Sequence, residues 1–244
     1  EDKALLSTEV ASGAEKAELL IVIPAYNEAE NIERVVNHLT ANFPQYDYVV
    51  VNDGSRDETA AICQRNGYNL LNLPVNLGLA GAFQAGLKYA DKYGYQYAVQ
   101  LDGDGQHRPE YLESMIKKME EGYDIVIGSR FVGEKKPFTM RMLGSNLIEM
   151  AIRFTTGVNI KDPTSGMRMF SKRMIREFAS GLNYGPEPDT VSYLIRQGAR
   201  VAEVPVIMDE RILGVSYLTP VNAMRYMLKM LISILLIQNF RKRR

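Results

Sequence analysis

Continuous apolar runs alternate with segments of helical periodicity along most of the chain, and this alternation predicts an α/β fold. Residues 19–23 (LLIVI) are wholly apolar and end at Pro24, the pattern of a strand buried on both faces, as in parallel sheets. Ile32, Val35, Val36 and Leu39 then recur at helical spacing, with Asn27 and Glu30 in a capping-box pattern before them. The pattern repeats: residues 48–51 read as a strand, Asn52-Asp53-Gly54 as a turn, and Ser55 with Glu58 as a second capping box. Further strands are predicted at 70–73, 97–101, 124–127 and 201–207, and further helices at about 80–93 and 109–121. Such a succession specifies a doubly wound, mainly parallel sheet flanked by helices, with ligands at the carboxyl ends of its strands.

Two later segments carry helical stripes. Met142, Leu143, Leu147, Ile148, Ala151 and Ile152 form one, read as a core helix in preference to the wall of a lipid groove. Met224, Met227, Leu228, Leu231 and Leu235 form the other, followed by four basic residues, Arg241 to Arg244. Its apolar run is too short for a full span, so it is expected to lie on a membrane surface, with its own domain or a second subunit of a homo-oligomer as the alternative partner. The expected division is a polar leader over 1–18, one catalytic domain over 19–220 and an apolar and basic helix over 221–244.

Composition narrows the picture. With 46% hydrophobic and 24% charged residues the 244-residue chain is ordinary globular material. Its 29 basic and 29 acidic residues cancel, so no nucleic-acid-binding field is expected. Cys63 has no partner for an internal disulfide and sits at a helix-compatible, buried position, which fits a reducing compartment. Residues 1–18 lack both a basic and an apolar signal region, so a cytoplasmic location is expected, peripheral on the membrane.

The candidate chemistry lies in Gln100-Leu101-Asp102-Gly103-Asp104-Gly105-Gln106-His107, two carboxylates directly after a buried strand. Carboxylates with substrate phosphate oxygens are the usual cage of Mg²⁺, and Mn²⁺ accepts the same donors. Read alone, Asp-x-Asp is equally a hydrogen-bonded surface turn. Asp53 ends another strand, however, and strand-end acids of one α/β sheet share a crevice. His107 precedes a new helix and is read as a structural polar residue. Arg130 follows a strand and Arg168 a Ser-Gly turn; each suits a phosphate ligand, with a surface ion pair as the alternative.

Six motifs occur in order: Pro24-Ala25-Tyr26-Asn27-Glu28, Asn52-Asp53-Gly54-Ser55, Asn76-Leu77-Gly78, Asp102 to His107, Gly128-Ser129-Arg130, and Asp162 to Arg168. Together they resemble glycosyltransferase family 2, in particular its dolichol-phosphate mannose synthase-like and bacterial polyprenyl-phosphate sugar transferase branch. The resemblance implies a GT-A fold. It implies that Pro24, Ala25, Tyr26, Glu28, Asp53, Gly78, Asp102, Gly103 and Asp104 hold a nucleotide diphosphate sugar, UDP favoured over GDP. Asp102, Asp104 and Gln106 would surround the metal, while Ser129, Arg130 and Arg168 would meet the acceptor phosphate. Asp162, Arg130 and Asp104 would be the catalytic group, with Asp162 as base, positioning group or metal ligand. Asp189 stands where the branch has a glutamate. Glu210, Arg211, Gly214 and Ser216 resemble a later element, in which Tyr217 replaces an expected lysine.

The resulting expectation is metal-dependent, inverting transfer of a hexose to a polyprenyl phosphate. Rival readings are extension of a cell-wall or capsule glycan at a hydroxyl, a nucleotidyltransferase, and a non-catalytic sugar-nucleotide sensor. The absence of a glycine-rich Walker loop disfavours ATPase chemistry.

Overall fold

The computed structural model describes residues 18–133, 139–180, 185, 187–209 and 220–239. These fall into two compact units. The first contains β1 (Leu19–Ala25), α1 (Ile32–Asn42), β2 (Asp47–Asp53), α2 (Thr59–Arg65), β3 (Leu70–Leu73), α3 (Gly78–Lys92), β4 (Tyr97–Gln100), β6 (Arg168–Ser171) and α6 (Lys172–Ser180). The second contains α4 (Leu112–Glu120), β5 (Ile125–Ser129), α5 (Met140–Thr156), α7 (Pro188–Arg196), β7 (Val201–Pro205) and α8 (Pro220–Leu235).

In the first unit the strand order is β3-β2-β1-β4-β6, parallel except for β6 against β4. Strand β1 is buried along its whole length between two parallel neighbours, which is why it is apolar without alternation. Helix α3 lies directly on it: a Cβ at Gly86 would come within 2.2 Å of Val22 Cγ1, so only glycine lets them approach. From β1 the chain adds β2 and β3 on one side, then crosses to place β4 on the other, which makes the β1–β4 join a topological switch point. Buried Cys63 lies on α2, and burial pushes its thiol up to about 11. In the second unit β5 and β7 run parallel, from Ile125 opposite Val201 to Ser129 opposite Pro205.

Neither predicted capping box forms. Helix α1 begins at Ile32 with Asn31 at its N-cap, and Asn27 instead takes a left-handed conformation (φ 55°) in the preceding loop. Helix α2 begins at Thr59, whose N–H is received by Asp57 Oδ1, not by Ser55. The helix expected from Pro109 opens as a 3₁₀ turn, Pro109–Tyr111. Of the stripe on α5, Met142, Ile148, Ala151 and Ile152 are buried, whereas Leu143 and Leu147 are exposed, so the core reading holds for one side only. Strand β6 and helices α6 and α7 are not anticipated by the periodicity; α7 buries Asp189, Thr190 and Ser192, which hides its pattern.

Candidate functional site

Two loops of the first unit are laced together at the carboxyl ends of β1 and β2. Asn27 N–H donates to Ser55 Oγ (2.9 Å), Glu28 N–H to Thr59 Oγ1 (2.9 Å) and Ala29 N–H to Asp57 Oδ2 (3.1 Å). In return Arg56 N–H donates to Asn27 Oδ1 (2.9 Å). Burial raises the Asp57 carboxyl, but the hydrogen bonds it accepts from Thr59 and Ala29 outweigh this and hold it below the usual range. Asp53, at the end of β2, accepts from Leu77 N–H through Oδ1 (2.7 Å), which ties it to the Asn76-Leu77-Gly78 loop. Burial nevertheless pushes its carboxyl up, against the Leu77 and Gly78 N–H groups. Gly54 (φ 65°) is required here, since a Cβ would sit 2.7 Å from Asn76 N.

The loop after β4 is equally fixed. Gln100 Nε2 donates to Asp102 Oδ1 (2.8 Å), and Asp104 Oδ1 accepts from Gln106 N–H (3.0 Å). His107 Nδ1 accepts from Asp102 N–H (3.0 Å), which assigns the imidazole proton to Nε2 and makes His107 a brace for the loop. Arg34 on α1 donates through Nη2 to the Asp104 carbonyl (3.1 Å) and to Asn31 Oδ1 (3.4 Å), while Asn31 Nδ2 donates to Glu28 Oε2 (2.8 Å). A Cβ on Gly103 would stand 3.1 Å from Pro24 O, so Gly103 serves the close approach of the β1 and β4 loops. Asp209 N–H donates to the Gln106 carbonyl (2.9 Å), Gln106 Nε2 donates to Asp209 O (3.2 Å), and Arg108 pairs with the Asp209 carboxylate.

Among the described residues no group of three or more His, Cys, Asp or Glu side chains converges as a metal cage. The donor set expected from the sequence is the pair Asp102 and Asp104 with the Gln106 amide. That set fits a hard divalent ion that takes one or two carboxylates and completes its shell with phosphate oxygens and water.

In the second unit Ser129, buried, ends β5, and Arg130 follows. Arg130 Nε and Nη2 donate to Asp162 Oδ2 (2.7 Å) and Oδ1 (2.8 Å), and Arg130 N–H adds a third bond to Oδ2 (3.1 Å). Asp162 is fully buried, whereas 24% of the Arg130 side chain is exposed. Glu203 on β7 accepts from Asp162 N–H and Lys161 N–H (2.8 Å each), fixing the segment that carries the aspartate. This arrangement leaves guanidinium N–H groups for a further anion while committing both Asp162 oxygens.

Arg168, expected beside the acceptor phosphate, is interior. It is 4% exposed, donates through Nη2 to Pro163 O (2.7 Å), and its Nε has no hydrogen-bond partner among the described residues. Burial lowers its pKa, opposed by nearby Tyr226, Glu187, Asp162 and Asp189. Asp189 is likewise internal, accepting from Ser233 Oγ (2.6 Å). Residues 210–219, with Glu210, Arg211, Gly214, Ser216 and Tyr217, lie outside the described residues.

The first unit thus brings together Pro24 and Ala25 at the end of β1, Tyr26 and Glu28 just after it, Asp53 at the end of β2, Gly78 at the start of α3, and Asp102 to Gln106 after β4. The second brings together Ser129, Arg130 and Asp162. Sequence reasoning missed Asp57 and Thr59, which an Asp-x-Thr turn signal could have found. It also missed Arg34 and Glu203, whose partners lie 70 and 41 or 42 positions away, beyond any local pattern.

Residues 20–178 match the family model described as Glycosyl transferase family 2. The polyprenol monophosphomannose synthase of Mycolicibacterium smegmatis is 32% identical over 223 residues, covering 86% of this chain and 84% of that protein. The undecaprenyl-phosphate mannosyltransferase of Micrococcus luteus is 31% identical over 210 residues, covering 81% and 86%. In fold the chain is similar to glucosyl-3-phosphoglycerate synthase from Mycobacterium tuberculosis, solved with Mn²⁺, UDP and glucosyl-3-phosphoglycerate. That similarity has a TM-score of 0.66 at 18% identity and covers 92% of this chain and 81% of that one.

Proposed function

Because the chain belongs to glycosyl transferase family 2 and has the GT-A fold, we propose that this hexosyltransferase uses a polyprenyl phosphate as acceptor and a nucleotide diphosphate sugar as donor. The observation that carries this reading is the placement of Asp53, Asp102 and Asp104 at strand ends around the switch point of the first unit. The names of the two relatives, both mannosyl transferases to polyprenyl carriers, support the acceptor class.

In this reading Tyr26, Glu28 and Asp53 hold the nucleoside, and Asp102, Asp104 and Gln106 hold Mg²⁺ or Mn²⁺. The bound ion supplies positive charge against the departing diphosphate. Ser129 and Arg130 receive the acceptor phosphate, with Asp162 fixing the guanidinium. An acceptor phosphate oxygen attacks the anomeric carbon from the face opposite the leaving group, so that the new C–O bond forms as the bond to the diphosphate breaks, with inversion. A phosphate monoester is already largely ionised at neutral pH and needs no base. Asp162 therefore acts by positioning. Arg168, buried, supports this segment from within and does not itself touch the acceptor. Among the described residues no helix is long and apolar enough to cross a membrane, and α8 is assigned to the membrane surface on the cytoplasmic face.

The test offers radiolabelled UDP- and GDP-hexoses with undecaprenyl or dolichyl phosphate. Label in the organic phase with equimolar nucleoside diphosphate is expected, UDP being the favoured donor. Pyrophosphate release, a water-soluble labelled glycan, or binding without product would each replace the proposal.

A further inference from the structure

The loop after β4 is closed by a residue far along the chain. Asp209, which belongs to the first unit, meets both ends of the tripeptide Gln106-His107-Arg108. Its N–H donates to the Gln106 carbonyl (2.9 Å), and its own carbonyl accepts from Gln106 Nε2 (3.2 Å). Its carboxylate takes Arg108: Nε donates to Oδ1 (2.9 Å), and Nη2 bonds the same oxygen. Gln106 is also tied to the loop itself, since its N–H donates to Asp104 Oδ1 (3.0 Å).

The bond from Gln106 Nε2 decides which way the amide faces. An amide has an NH₂ pole that donates and an oxygen that accepts. The Asp209 carbonyl is an acceptor, so only the NH₂ pole can face it, and the oxygen is turned away. A hard divalent cation is bound by such an oxygen and repelled by the NH₂ pole. Without the Asp209 carbonyl both flips are open and the long side chain regains its rotamers, and each freedom costs affinity when an ion is bound. The ion pair adds little stability, because Arg108 and Asp209 are 38% and 44% exposed and a pair so open to water contributes little to folding. What it does is hold Asp209 against Gln106.

We propose that Asp209 is a positioning residue for the divalent ion: its carbonyl commits the Gln106 amide to offering oxygen, and the Arg108 pair keeps Asp209 in place. The proposal rests on the metal reading above, in which Gln106 is a ligand, and names what makes it one.

The test is Mn²⁺ binding by the full chain in the presence of UDP or GDP, read from the electron paramagnetic resonance signal of the free ion against a protein-free control. Arg108→Met should raise the Mn²⁺ Kd about tenfold, the lower end of the effect of losing a group that orients a metal ligand. Charge alone predicts the opposite sign, because removing a cation and baring the Asp209 carboxylate would tighten Mn²⁺ binding. Arg108→Lys should bind as wild type, since both guanidinium donors converge on one oxygen that an ammonium can also reach. In a Gln106→Ala background Arg108→Met should add no further loss, a result that a general structural defect would not give. Urea midpoints should match wild type; Arg108→Gln, equally neutral, carries the comparison if Arg108→Met unfolds. Equal or tighter binding by Arg108→Met, or an undiminished loss in the Gln106→Ala background, would overturn the positioning role and leave the metal reading standing. Wild type that binds no Mn²⁺ with either nucleotide would overturn the metal reading itself, and the positioning role with it.

Discussion

Replacing Asp162 by asparagine separates a positioning role from a chemical one. The carboxylate is fully buried and receives bonds of 2.7, 2.8 and 3.1 Å from Arg130 Nε, Nη2 and N–H. Asparagine keeps the shape but has one oxygen. With its NH₂ at the Oδ2 position it faces two donors, and with the amide flipped it faces one, so some donor–donor contact is unavoidable. Hydrogen bonds to a charged group contribute about 1.5–3 kcal/mol each, and stripping one partner from a buried pair costs about 3–5 kcal/mol. Arg130 keeps partial access to water, which places the expected loss near the lower end, about 3 kcal/mol. Urea unfolding followed by far-UV circular dichroism reads this as a lower midpoint with an unchanged slope. Because Arg130 then loses its fixed orientation, KM for the acceptor should rise while KM for the nucleotide sugar stays constant. A variant with the wild-type midpoint and almost no turnover would refute the reasoning, since Asp162 would then act on the acceptor and not through Arg130.

Asp104→Asn should abolish most transfer without unfolding the protein, and EDTA should reproduce the loss in the wild type, reversed by Mn²⁺; near-native turnover in either case removes the metal from the mechanism. Arg130→Lys should leave nucleotide affinity intact and raise acceptor KM by about tenfold or more, because one ammonium cannot match a planar fork held by a carboxylate; steady-state kinetics with varied acceptor decides. Asp57 is held below the ordinary carboxylate range, so its contribution is complete above about pH 4 and is lost as pH falls through the folded value. Asp57→Asn should therefore weaken nucleotide binding at neutral pH and flatten the acid limb of stability, and an unchanged acid limb in thermal melts would count against the loop clamp.

The sequence by itself determined the α/β class, because strands buried on both faces must be uninterrupted apolar runs, as in β1. It also determined the ordered motifs at strand ends, whose residue types are set by local turn and ligand chemistry. Helix starts were less legible: Asn27 and Ser55 look like caps, yet both serve the link between two loops about 28 positions apart. Only tertiary structure decided that Arg130 and Asp162 form one unit, that Arg34 holds the Asp104 carbonyl, and that Arg168 is interior. Burial and pairing depend on which distant segments meet, and no periodicity encodes that. The same holds for α5 and α8. Their stripes are visible in the chain, but which apolar residues face the core is settled by Gly144 against Met227 and by the buried Ser233–Asp189 bond, so that Ile148, Ile152, Met230 and Ile234 are buried while Leu143, Leu147, Met224 and Leu228 are exposed.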